Sequence, residues 1–408
     1  MRVPRALIPV LFAVLALFLA APVQAGGLYA NELATPESGT AGVGAEAIAD
    51  GATTSISFYN PAGMTRLEGH HLLIGGGALV SSVEFDVDPA ATTTGGDGGD
   101  AGGGIPLLSA AYVHSISDRL KFGAALFGMA GAALDYDDDW AGRKQVQDVA
   151  IVVLSLSTQV AYRIADWISV GGGITTTFSA LEMDVEGLLP GSRITLDGDD
   201  TQVAFNLSCL VEASEKTRFG LTYQSETEFE YSGGVERNPG SLTAPADLSL
   251  TLGQLLRFGA YHDINDKWAL LGTIGWEDWD ALDSQLVSVG SVGSATLNRN
   301  WEDTYRYGAG FHYRISDPWL LQFGINYDTS PVSAVDRTAD LPVDRQLRYG
   351  AGFRREKGDR FGFAANLVYA DLGDAAINSS AGLAQLVGDY SSNDYIAGSF
   401  SAYWKFGQ

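Results

Sequence analysis

Apolar and polar residues alternate with period two in run after run of this chain, from about residue 69 to its end, and no other feature limits its possible folds so strongly. Tyr305, Tyr307, Ala309, Phe311, Tyr313 and Ile315 alternate with Arg306, Gly308, Gly310, His312 and Arg314. Trp319, Leu321, Phe323, Ile325 and Tyr327, and then Phe361, Phe363, Ala365, Leu367 and Tyr369, repeat the pattern. Phe219, Leu221, Tyr223, Phe229 and Tyr231 stand against Gly220, Thr222, Gln224, Glu226, Glu228 and Glu230, and read as one strand over residues 218–231. Such alternation marks strands with one apolar face. Aromatic residues near the strand ends match the interfacial girdles of a membrane barrel.

The N-terminus sets the compartment. Arg2 and Arg5 precede an apolar stretch over residues 6–21, and Val23-Gln24-Ala25 offers a small-x-Ala cleavage site. This is the pattern of a secretory signal peptide over residues 1–25, with the mature chain starting at Gly26. Beyond it no uncharged apolar run reaches the roughly 20 residues of a spanning helix. A membrane span must therefore be made of strands. The single cysteine, Cys209, excludes an intrachain disulfide, and its place in the alternating run Val203, Phe205, Leu207, Cys209, Val211 gives it an apolar role.

Connection lengths separate a membrane barrel from a soluble sandwich. Tight polar turns such as Ser117-Asp118, Asn265-Asp266 and Ser316-Asp317 alternate with long loops, the asymmetry of an outer-membrane barrel. Runs near 70–85, 105–116, 120–130, 149–164, 167–184, 199–213, 218–231, 249–263, 267–279, 302–315, 319–329, 347–356, 360–371 and 393–406 give about 14 strands, an even number with both ends on the short-turn side. The expected fold class is all-β: a transmembrane antiparallel barrel over residues 69–408. The net charge of -24 lacks the basic stripe of a nucleic-acid binder. The five histidines show no metal-ligand spacing and no G-x-S-x-G elbow is present, so neither cofactor nor catalytic site is expected.

Residues 26–68 lack alternation and are rich in Ala and Gly, and a segment of that length ahead of a barrel has its natural place in the lumen. Asn60 is a favoured N-cap and Pro61 a favoured first helical residue, so Asn60-Pro61-Ala62-Gly63 reads as a short helical turn leading into the first strand.

The stretch GTAGVGAEAIADGATTSISFYNPAGMTRL resembles the N-terminal hatch of the FadL-type outer-membrane transporters of long-chain fatty acids and hydrocarbons. PWLLQFGINYDTSPVSAVDRTADLPVDRQLRYGAGF is similar to the strand-loop-strand near that family's C-terminus. The chain departs from the pattern at its end, where Phe406 is followed by Gly407-Gln408. The resemblance implies a 14-stranded barrel in the bacterial outer membrane, plugged by residues 26–68. It also implies passive uptake of a hydrophobic ligand, foremost a long-chain fatty acid and alternatively an aromatic hydrocarbon, with capture at extracellular loops and release through a lateral opening at a kinked third strand. The expected partners are that ligand, outer-membrane lipid and lipopolysaccharide, and a plugged barrel can act as a monomer. A different class, a surface adhesion barrel with acidic loops, is the competing expectation.

Candidate sites follow. In the third run, Gly123, Gly128 and Gly131 around Phe127 and Met129 mark a bulge or close backbone approach, the expected lateral opening. Trp140, Leu188 and Leu189 are apolar residues in polar loops and suit an exposed capture groove. Arg143, Lys144 and Arg193 share those loops and could pair with a ligand carboxylate. Asp135, Asp137 and Asp139 echo the first calcium positions of an EF-hand, but Trp140 and Val146 stand where Gly and Glu are needed.

Overall fold

The computed structural model describes residues 29, 33–50, 56–89, 94–186, 192–238, 243–282, 284–289, 293–357, 360–379 and 385–407. The expected signal peptide lies outside them. The strands are β1 (His70–Val87), β2 (Gly104–Ser115), β3 (Leu120–Asp135), β4 (Asp148–Ala165), β5 (Ile168–Glu186), β6 (Arg193–Ser214), β7 (Thr217–Gln224), β8 (Thr227–Asn238), β9 (Thr243–Leu252) and β10 (Leu255–Asp263). They continue as β11 (Trp268–Glu277), β12 (Ser284–Val289), β13 (Gly293–Asn298), β14 (Thr304–Ser316), β15 (Trp319–Asp328), β16 (Gln346–Lys357), β17 (Phe361–Asp371), β18 (Ile377–Ser379) and β19 (Leu386–Phe406).

Fourteen of these close an antiparallel barrel in the order β1-β2-β3-β4-β5-β6-β7-β10-β11-β14-β15-β16-β17-β19 and back to β1. The seam between first and last strand runs from His70↔Phe406 to Val87↔Gly388. Closure leaves the wall without a sheet edge, as strands in lipid require. Alternation assigns the two faces: on β4, Leu156 and Val160 are exposed to the outside while Ser155, Ser157 and Gln159 are buried inside. Exposed Ile74, Val203, Leu207, Ile274, Ile325 and Phe400 continue the outer apolar band.

The long-loop end differs from the sequence expectation. The single strand expected over 218–231 is two, broken at Ser225-Glu226, and the strand expected over 249–263 breaks likewise at Gly253-Gln254. Leu221 faces outward, whereas Phe229 and Tyr231 are almost fully buried, because the break inverts the face that odd-numbered residues present. Above the break β8 pairs with the first half of β6 and with β9, β9 pairs with β12, and β12 with β13. The result is a sheet extension standing on the barrel rim.

Residues 33–50 and 56–67 fill the lumen. A 3-10 turn at Pro36–Thr40 lies against β15, β16 and β17, a short helix at Ala45–Ile48 against β7 and β10, and a 3-10 turn at Pro61–Arg66 against β3, β4, β5 and β6. Barrel glycines bring the backbones together: a Cβ on Gly220 would meet the Glu46 carbonyl, and one on Gly324 the Thr40 carbonyl. Lumen side chains then satisfy the peptide groups of this segment. Arg218 donates to the carbonyls of Ala47 (3.1 Å) and Ile48 (2.8 Å), Thr222 Oγ1 to Tyr59 O (2.7 Å), and Asn366 Nδ2 to Thr35 O (2.9 Å).

Candidate functional site

Asn60 is the cap expected from the sequence, and more. Its Oδ1 accepts from Ala62 N at 3.1 Å, while Nδ2 donates to Glu46 O at 2.8 Å and Cys209 O at 2.9 Å. One amide thus ties the 3-10 turn, the lumen helix and β6 together. Arg354 on β16 pairs with Asp50 at the end of the same segment. Asp50 loses hydration by burial, but the adjacent Arg354 guanidinium outweighs that loss and holds the carboxyl well below the usual carboxylate range.

The third strand is irregular where the glycines cluster. Its register against β4 shifts between Gly128 and Ala130, leaving Met129 as a bulged residue. Pairing with β2 ends at Ser109↔Phe127, although β3 runs on to Asp135 and β2 begins at Gly104. Along that unpaired stretch Tyr29 forms an isolated antiparallel bridge with Ala130. Gly128 and Gly131 lie at this break. Gly123 lies below it in fully paired strand, where the Met64 side chain occupies the place a Cβ would take.

Directly behind the bulge is a cavity, part of it open to solvent. Phe127 and Met129 from β3, Tyr29, Leu33 and Phe58 from the lumen segment, and Leu255 from β10 give it apolar walls. Phe58 meets Phe127 edge to face at 5.0 Å, and the Met129 sulfur lies 3.3 Å from Ser155 Oγ. Thr222, Gln224, Glu46 and Arg257 supply its polar groups. Apolar walls with a few convergent polar groups are the usual form of a small-molecule site.

Arg257 opens a belt of charges across neighbouring strands. Arg257 bonds Glu277 at 2.8 Å, Arg306 reaches both Glu277 (3.3 Å) and Asp328 (2.6 Å), and Arg348 also contacts Asp328. Glu46 approaches from the lumen segment and accepts from Thr273 Oγ1 at 3.3 Å. Burial pushes its carboxyl above the usual range, with Arg257 and Arg306 opposing the shift. The period-two pattern puts Arg306 and Arg348 in the lumen, but neither this belt nor the role of Glu46 was expected from the sequence. Arg306, in the alternation opposite Tyr305 and Tyr307, was the available signal.

The loop candidates are placed differently from an exposed groove. Trp140 is fully buried, stacked on Tyr136 at 3.9 Å, with Nε1 donating to Val146 O at 2.8 Å. It is the core of its own loop, because an indole with a satisfied N–H and a ring partner is stable out of water. Arg143 pairs with Glu186 at 3.0 Å, and Arg193 with Asp138 and Asp184, both at 3.0 Å. Their charges are therefore taken up by neighbouring carboxylates. Lys144 is exposed, and Leu188 and Leu189 lie outside the described residues. Among the described residues, no group of three or more His, Cys, Asp or Glu side chains is arranged to hold a metal ion.

A closed barrel with an apolar outer band is the architecture of an outer-membrane protein. A family model described as outer membrane protein transport protein (OMPP1/FadL/TodX) matches residues 16–403, and the chain belongs to that family. Its members are outer-membrane transporters of hydrophobic compounds. The chain is 23% identical to the long-chain fatty acid transport protein of Escherichia coli K12, over 86% of each chain. It is also 23% identical to a putative outer membrane protein of Neisseria meningitidis serogroup B, over 89% of this chain and 90% of that one. Among solved structures it is similar to a Pseudomonas aeruginosa FadL homologue (TM-score 0.86, 17% identity, 93% and 100% of the two chains). The Ralstonia pickettii toluene transporter TbuX shares the fold with a TM-score of 0.67 at 15% identity, over 94% and 99%.

Proposed function

We propose that this barrel takes up hydrophobic small molecules passively, long-chain fatty acids foremost, and releases them sideways through its wall. The observation that carries the reading is the cavity behind the Met129 bulge, lined by Phe58, Phe127 and Leu255, at the one stretch where β3 has left β2. A ligand held there sits beside the outer leaflet of lipid without crossing the lumen segment, which stays as a plug against water-soluble solutes. Capture begins at the loop end, and desolvation of the apolar chain drives the ligand inward. No energy source enters the scheme. The alternative ligand of the same route is an aromatic hydrocarbon, which the aromatic lining also accommodates.

Proteoliposomes test the proposal. Labelled oleate and toluene should each be scored for entry with the intact protein and with a variant lacking Met129. Faster entry of oleate, lost in the variant, is the expected result. If the intact protein accelerates neither compound over empty liposomes, the uptake reading is wrong; if only toluene responds, the hydrocarbon alternative replaces the fatty acid.

A further inference from the structure

The charges around the cavity are balanced by the protein itself. Three guanidinium groups, of Arg257, Arg306 and Arg348, meet three carboxylic groups, of Glu277, Asp328 and Glu46. Nearby Asp278 accepts from Gln254 at 2.8 Å and adds a further acid on the loop side. The same economy holds toward the rim, where Arg299 pairs with Asp340 (2.5 Å), Arg337 with Asp344 (3.3 Å) and Arg345 with Asp371 (2.8 Å). An anionic ligand reaching the cavity finds the guanidinium groups of Arg257, Arg306 and Arg348 already paired. It would meet Glu46 on the cavity wall, with Glu277 behind Arg257, and like charges repel.

One donor is nevertheless unspent. The Nε–H of Arg257 is buried at the cavity and has no acceptor among the described residues, while its Nη2 is held by Glu277. A buried donor of this kind is costly until an acceptor arrives. An acceptor that brings no charge satisfies it without disturbing the balance around it.

We propose that the cavity takes its ligand uncharged, as an alkyl chain ending in a neutral oxygen acceptor, with Arg257 Nε as the donor that holds that oxygen. Long-chain alcohols, esters and the protonated form of a fatty acid meet this description; a carboxylate or sulfonate does not. The proposal rests on the uptake reading above and narrows it to a charge state.

Binding of hexadecan-1-ol, hexadecane and hexadecane-1-sulfonate to the full chain in lipid nanodiscs tests both. The alcohol should bind about tenfold tighter than the sulfonate and about tenfold tighter than the alkane, the worth of one hydrogen bond from a charged donor. Arg257→Met should bring the alcohol down to the level of the alkane, so that the alcohol-to-alkane ratio falls about tenfold. Because that variant could perturb the barrel, Arg257→Lys serves as a second: it keeps the charge, loses the Nε geometry and should give the same result. Sulfonate binding as tight as the alcohol, or an alcohol-to-alkane ratio unmoved by both variants, overturns the charge-state proposal while uptake stands. Failure of all three probes to bind overturns the uptake reading and this proposal with it.

Discussion

Asn60 shows how a single side chain can decide a larger arrangement. Asn60→Asp keeps the acceptor for Ala62 N but loses the donor to Glu46 O and Cys209 O, whereas Asn60→Ala loses all three bonds. Net values of about 0.5–1.5 kcal/mol per bond, with more for carbonyls left buried, put both variants about 2–3 kcal/mol down in local stability. Hydrogen exchange across residues 45–66 should therefore accelerate in both. Protection as slow as wild type in Asn60→Asp would mean that the cap alone matters. The Asp50–Arg354 pair makes a prediction about pH. A carboxyl depressed in the folded state contributes its stability above the ordinary carboxylate pKa of about 4, and loses it as pH falls through the depressed folded value. Attachment of the lumen segment, read by the same exchange experiment, should thus be flat between about pH 5 and pH 8. Arg354→Gln should loosen it across that whole range, and a loss in wild type near pH 6 would disprove the assignment.

At the scale of elements, the bulge in β3 and the glycines of the wall make separable predictions. Deleting Met129 removes the extra residue and leaves Gly128 and Ala130 opposite Leu154 and Val153, in continuous register. The barrel should fold, with heat-modifiable mobility as the check, and oleate uptake should fall by about tenfold or more, since the deletion takes away both the bulge and a wall of the cavity. Unchanged uptake would move the exit elsewhere. Gly220→Val acts on the plug instead: its side chain would stand where the Glu46 carbonyl now lies, so the lumen segment must leave its seat. Planar-bilayer recordings should then show a higher ion conductance than wild type, while the outer surface and the wall stay as they are.

Over the whole molecule, the barrel was legible because lipid and lumen impose opposite demands on adjacent residues. Each of the fourteen expected runs contains a strand of the wall, and two of them also take in a strand of the rim extension, β8 or β9. The rim extension was not legible, since nothing in the alternation around Ser225-Glu226 signals that the chain inverts its faces there. Asn60-Pro61 was readable as a cap because the cap is local; its bonds to Glu46 and Cys209 were not, because they join residues 14 and 149 positions away. The glycines of β3 pointed to the bulge for a sound reason, the tolerance of glycine in an irregular strand. Trp140 misled because a hydrophobic residue in a loop was taken for a surface feature when it is the core on which the loop is built. The belt from Arg257 to Arg348 needed the pairing of five strands before its members became neighbours.

The pairing of His70–Val87 with Leu386–Phe406 joins strands from opposite ends of the barrel sequence, so it has the longest chain closure of any contact in the wall. The plug lies immediately upstream of the first of them. Residues 33–50 and 56–67 therefore lie inside a ring that is complete only when the last strand meets the first.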